Sequence, residues 1–90
     1  MTIAAVIVKL MPESPNVNYE QIKKDSKYLL EKEGAKNISF EEIHIAFGIK
    51  AINIKFAWPE EKDTDIIENI LIKVKQVTSA KIEDYRRAFG

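Results

Sequence analysis

Residues 44–55, HIAFGIKAINIK, constrain this chain more than any other stretch. Two apolar alternating segments meet at Ala46-Phe47-Gly48, the pattern of a β-hairpin. Gly48 accounts for the reversal, because glycine reaches the positive φ that a tight turn demands. Phe47 needs a separate account. Turns ordinarily carry polar residues, and an aromatic at a loop tip is not readily buried by its own hairpin. It either folds back on the sheet or is offered to a partner.

The remaining segments supply the sheet to which this hairpin belongs. Residues 2–11, TIAAVIVKLM, are rich in Val and Ile and apolar on both alternating faces, which places that strand inside a sheet. Pro12 and Pro15 end it, since proline cannot donate to a ladder. Asn16 or Asn18 can cap a following helix, with Glu20 in its first turn and Tyr19, Ile22, Ser26, Leu29 and Leu30 at helical spacing. Gly34 stops it. In residues 36–46 the alternation slips: Ile38 and Phe40 have one parity, Ile43 and Ile45 the other. That predicts a bulge or break at Glu41-Glu42 in an edge strand.

Residues 49–58 keep a period of two, with Ile52, Ile54, Phe56 and Trp58 on one face and Ala51, Asn53, Lys55 and Ala57 on the other. After Pro59 and the charged run EEKD, Asp63 or Thr64 starts a second helix whose stripe is Ile66, Ile67, Ile70, Leu71, Val74 and Val77. Residues 79–87 read as a last strand around Ala80, Ile82 and Tyr85. The order β-α-β-β-α-β predicts an α+β ferredoxin-like sandwich, a four-stranded antiparallel sheet with two helices on one face. Ninety residues are expected to make one domain, 1–90.

Several functional classes are disfavoured. With 14 basic and 14 acidic residues the formal charge is zero, so no net field draws the chain to nucleic acid or an anionic membrane. The absence of Cys excludes disulfides and thiolate chemistry and fits a reducing cytoplasm. No apolar run approaches the roughly 20 residues of a membrane span, and the N-terminal stretch lacks the basic start and cleavage site of a signal peptide. His44 follows Glu42 on one strand face, but acid/base catalysis also needs a nucleophile or metal partner that the sequence does not place. The acids at 60, 61, 63 and 65 lack the glycine and closing glutamate of a calcium loop. Gly34, Gly48 and Gly90 do not make a phosphate-binding loop. No catalytic, cofactor or metal residue is therefore expected, and the chain does not read as an enzyme.

RNA readers of this topology stack bases on aromatics of the open sheet face. Here that face of the third strand carries Ala51, Asn53 and Lys55, while the aromatics share the core parity. The lysines at 23, 24, 27, 32 and 36 alternate with acids as a solvated helix face does. Arg86-Arg87 is either a terminus fraying into solvent or a basic, flexible end that reaches a phosphate or carboxylate on a partner.

Three ordered stretches, MPESPNVNYEQIK, IAFGIKAINI and DYRRAF, resemble the archaeal elongation factor 1-beta family of guanine-nucleotide exchange domains. The resemblance spans nearly the whole chain and implies the same ferredoxin-like sandwich. It also implies a cytoplasmic, monomeric exchange factor without cofactor, promoting replacement of GDP by GTP on elongation factor 1-alpha in translation elongation, with no direct nucleic-acid or membrane contact. In that family one end of the domain is pressed against the switch and magnesium region of the GTPase, and the aromatic hairpin packs on its second domain. Carried over by position, Phe47, Gly48 and Lys50 fall on the hairpin contact and Arg86 and Arg87 on the C-terminal end. Eukaryotic members carry a lysine near that end, credited with disturbing the magnesium site; this chain reads RRAFG there, with bulkier, planar cations. Two alternatives stand beside this reading. One is a ferredoxin-like RNA-binding or ribosome-associated domain, the other a dimeric small-molecule regulatory domain.

Overall fold

The computed structural model describes residues 3–88, arranged as β1 (Ile3–Pro12), α1 (Tyr19–Lys32), β2 (Lys36–Ala46), β3 (Ile49–Pro59), α2 (Asp65–Leu71) and β4 (Val77–Ala88). The strands form one sheet in the order β2-β3-β1-β4 with every neighbouring pair antiparallel. This is the expected ferredoxin-like sandwich. β1 lies between two neighbours because it has apolar residues to spend on both faces. Its Ala4, Val6, Val8 and Leu10 stand opposite Trp58, Phe56, Ile54 and Ile52 of β3, and all eight are buried. Ile22 and Leu30 of α1 and Ile67 and Leu71 of α2 complete the core. Burying each large apolar side chain contributes about 1.5–3 kcal/mol, so this one layer dominates stability.

Local signals set the ends of α1. The Asn18 side chain accepts a hydrogen bond from the Gln21 N–H at 3.1 Å, and Glu20 sits in the first turn where the helix dipole favours an acid. At the other end Gly34 takes φ +97°, its N–H donates to Glu31 O, and the Ala35 N–H donates to Leu30 O. That pair of bonds satisfies carbonyls the helix leaves open, and buried Ala35 and Leu30 accompany it.

Two expectations are corrected. β2 has no bulge at Glu41-Glu42: residues Ser39 to His44 pair without interruption with Lys55 to Lys50. The irregularities lie instead between Lys36 and Ser39, where Asn37 takes φ +56°, and between His44 and Ala46. Ile43, opposite Ala51, lies on the open face of the sheet, whereas Ile45 falls in the irregularity between His44 and Ala46, where the alternation shifts by one residue. The edge position of β2 is as expected. The second correction is α2, which ends at Leu71. The N–H groups of Lys73, Val74 and Val77 reach carbonyls three residues back, so the chain tightens into turns and Gln76 takes φ +72°. Val74 is buried from a turn, and Val77 opens β4.

The molecule measures 42 × 21 × 19 Å. The β2–β3 hairpin tip and the end of β1 lie at one pole. Ile3, Pro59 and the last residues of β4 lie at the other.

Candidate functional site

At the hairpin pole Ala46 pairs with Ile49, leaving Phe47 and Gly48 as a two-residue turn with φ +52° and +78°. Positive φ at both central positions is the turn whose twist suits a β-hairpin, and Asn-Gly is its usual occupant. Phenylalanine in that conformation costs about 1 kcal/mol relative to a residue that tolerates it. Its side chain is 95% exposed, so no burial offsets this strain. Of the two alternatives for Phe47, folding back on the sheet is excluded. Ile45, 45% exposed, lies next to it on the sheet edge.

The base of the hairpin is tied to α1. Glu42 Oε2 accepts from Lys23 Nζ at 2.6 Å and its Oε1 from Lys50 Nζ at 3.4 Å; Lys23 also meets Glu20 at 3.2 Å. The Tyr19 hydroxyl accepts from the Lys50 backbone N–H at 3.3 Å, and the Lys50 ammonium lies 5.9 Å from the centre of the Tyr19 ring. The hydrogen bond from Lys23 holds the Glu42 carboxyl below its ordinary range, with Lys50 adding to it, and the same bond raises Lys23. Pro15, in the loop before α1, lies beside Gly48: a Cβ built on the glycine falls 3.8 Å from Pro15 Cβ. Lys50 is thus turned toward α1 rather than outward. Glu42 bonds the two lysines and not His44, which is exposed on the same strand.

At the opposite pole Arg87 pairs with Ala4 and Arg86 with Ala5, so both belong to the β1–β4 ladder. The sequence left open a fraying terminus or a flexible basic end, and at these two positions the chain is instead a paired strand; the following Phe89-Gly90 lie outside the described residues. Successive residues of a strand project to opposite faces, so Arg86 falls on the open face with Ala5, and Arg87 on the helix side with Ala4. Arg86 Nε meets Asp84 Oδ2 at 3.0 Å, and Arg87 Nε meets Glu60 Oε1 at 2.8 Å. The arginine side chains are about four-fifths exposed, whereas the Glu60 side chain is only 14% exposed. Close by, Trp58 Nε1 donates to Lys62 O, and Lys62 Nζ reaches Glu33 O and Oε1 at 2.6 and 2.8 Å.

The five residues singled out from the sequence therefore do not form one site. Phe47 and Gly48 cap one pole, Lys50 braces it from within, and the arginines mark the other pole. Sequence reasoning passed over Glu42, Lys23 and Tyr19 as a unit. The signal was present: Glu42 and Lys50 share the parity of core-facing Ile52, which turns them toward the helix layer.

Residues 5–88 match the EF-1 guanine nucleotide exchange domain. The chain belongs to that family. It is 32% identical over 88 residues to elongation factor 1-beta of Methanosphaera stadtmanae, covering 97% of this chain and 98% of the relative. It is 37% identical over 84 residues to elongation factor 1-beta of Caldivirga maquilingensis, covering 90% of each. The corresponding protein of Methanobrevibacter smithii is 37% identical over 81 residues, covering 89% of this chain and 90% of the relative. Family membership supports a guanine-nucleotide exchange role in translation elongation. No helix among the described residues is long and apolar enough to cross a membrane.

Proposed function

We propose that this chain acts in the cytoplasm as a monomeric exchange factor that promotes replacement of GDP by GTP on elongation factor 1-alpha. The observation that carries the reading is Phe47, a strained, 95% exposed aromatic on a hairpin braced against its own helix. Strain kept without any gain in burial marks a position held for contact, and a rigid exposed aromatic is the kind of residue that dominates an interface. Phe47 and Gly48 dock on one part of the GTPase, with Lys50 behind them, while Arg86 and Arg87 approach the switch and magnesium region.

Nucleotide is held in such GTPases largely through Mg²⁺ bridging its phosphates, so a partner that displaces the switch residues weakens nucleotide binding. By reciprocity, nucleotide weakens binding of the exchange factor. Either nucleotide then rebinds, and the cellular GTP:GDP ratio sets the direction. No covalent step is involved. The test is release of a fluorescent GDP analogue from purified elongation factor 1-alpha, with and without this chain, at several Mg²⁺ concentrations. Acceleration that needs far more protein after Phe47→Ala, or is lost on removal of residues 86–90, supports the reading; no acceleration by the parent chain at micromolar concentrations overturns it.

A further inference from the structure

Resting on the exchange reading, we propose that Glu42 is a positioning residue for that reaction: it clamps the hairpin to α1 so that Phe47 meets the GTPase at a fixed angle. Glu42 lies on an edge strand, and a hairpin carrying a strained two-residue turn has little of its own to hold its direction. The carboxylate spans three elements. From β2 it takes Lys23 of α1 at 2.6 Å with one oxygen and Lys50 of β3 at 3.4 Å with the other. Lys50 carries the clamp onward, through its backbone N–H to the Tyr19 hydroxyl and through its ammonium over the Tyr19 ring. Both lysines are anchored by one acid, so its loss leaves two neighbouring ammonium groups repelling each other across the α1–hairpin seam. Glu20 then remains as a counter-charge to Lys23 only.

None of these groups needs to touch the partner. Four residues along β2 from Glu42, Ala46 closes the turn, so a small swing at the clamp is enlarged at the Phe47 ring. An ordered contact loop loses less entropy on binding than a swinging one, and that difference appears in affinity. The turnover of the bound complex depends on the opposite pole and is untouched.

The experiment is a titration of elongation factor 1-alpha, loaded with fluorescent GDP, with the full chain and with Glu42→Ala, Glu42→Gln, Phe47→Ala and the double variant Glu42→Ala/Phe47→Ala. Glu42→Ala is expected to raise the half-saturating concentration about fivefold, the scale of one newly mobile loop. The limiting release rate stays unchanged. Glu42→Gln, which keeps an acceptor oxygen, lies between this variant and the parent and remains folded even if the alanine variant is not. In the Phe47→Ala background Glu42→Ala adds nothing, because a residue acting through another has no effect once that other is gone. Additive losses, a reduced limiting rate, or an unchanged half-saturation each overturn the inference. If the parent chain accelerates release through Phe47 while Glu42 is silent, only the inference fails; if the parent chain is inactive, the exchange reading fails with it.

Discussion

The two poles of this molecule solve opposite problems with the same sheet. At the hairpin pole the charged groups are turned inward, onto Glu42, and the outermost group is an aromatic ring in a strained backbone. At the arginine pole the aromatic is inside: Trp58 is fully buried and its indole N–H is satisfied, while the cations are outermost and each leans on an acid of its own chain. One pole offers area and the other offers charge. An apolar tip gains from being desolvated, whereas an exposed guanidinium gains mainly by exchanging one carboxylate for another anion. The difference teaches that the poles are suited to different steps, holding and displacing.

The sharpest way to break the comparison is to truncate the two aromatics. Trp58→Ala is expected to cost about 3–5 kcal/mol of stability by denaturant unfolding, as loss of a packed indole does. Phe47→Ala is expected to change stability by less than about 1 kcal/mol, yet weaken binding to elongation factor 1-alpha by about 2 kcal/mol or more in calorimetry. A stability loss of about 3 kcal/mol for Phe47→Ala would instead make it a core residue. Gly48→Ala should lower stability by about 1 kcal/mol in the same unfolding assay, because φ +78° disfavours a Cβ even where space is free.

The smallest effect concerns the clamp. Since the folded Glu42 carboxyl titrates below its ordinary value, its stabilisation is present above the unfolded glutamate range and lost as pH falls through the folded value. Lys23, raised by the same bond, loses its contribution only as pH rises through its own folded value, above the ordinary lysine range. Partly exposed pairs are worth less than about 1 kcal/mol. Unfolding free energies of the parent and Glu42→Gln should therefore differ by less than that at neutral pH and converge in strong acid. A gap that persists in acid would mean the carboxylate charge is not what holds the seam.

Much of the fold was legible because its signals are local. Alternation in β1 and β3, the Asn18 cap and Gly34 each act through neighbours in sequence, and each appears where the residues imply. Misreadings arose where tertiary context decided. Ile43 looked like a phase slip at Glu41-Glu42 because an apolar residue on the open face was not anticipated, and the actual shift falls at Ile45; parity alone cannot tell a bulge from a strand with apolar residues on both sides. Val74 and Val77 fit a helical period, yet tight turns after Leu71 serve burial equally well without a longer helix. In the candidate site, exposure of Phe47 was one of two options left open by the sequence. The Arg87–Glu60 pair joins residues 27 positions apart and lay beyond any spacing rule.

β1 and β3 run from one pole to the other without a register shift between them. The distance between the aromatic tip and the arginines is therefore built into a hydrogen-bonded strut, and under the proposed exchange function the protein would work as a gauge of length. Once one pole is seated, the second meets its target at a local concentration set by geometry, of millimolar order where the spacing fits and near zero where it does not. Under that proposal, a partner whose two docking points shift apart as it changes nucleotide state would be sensed as a mismatch in span.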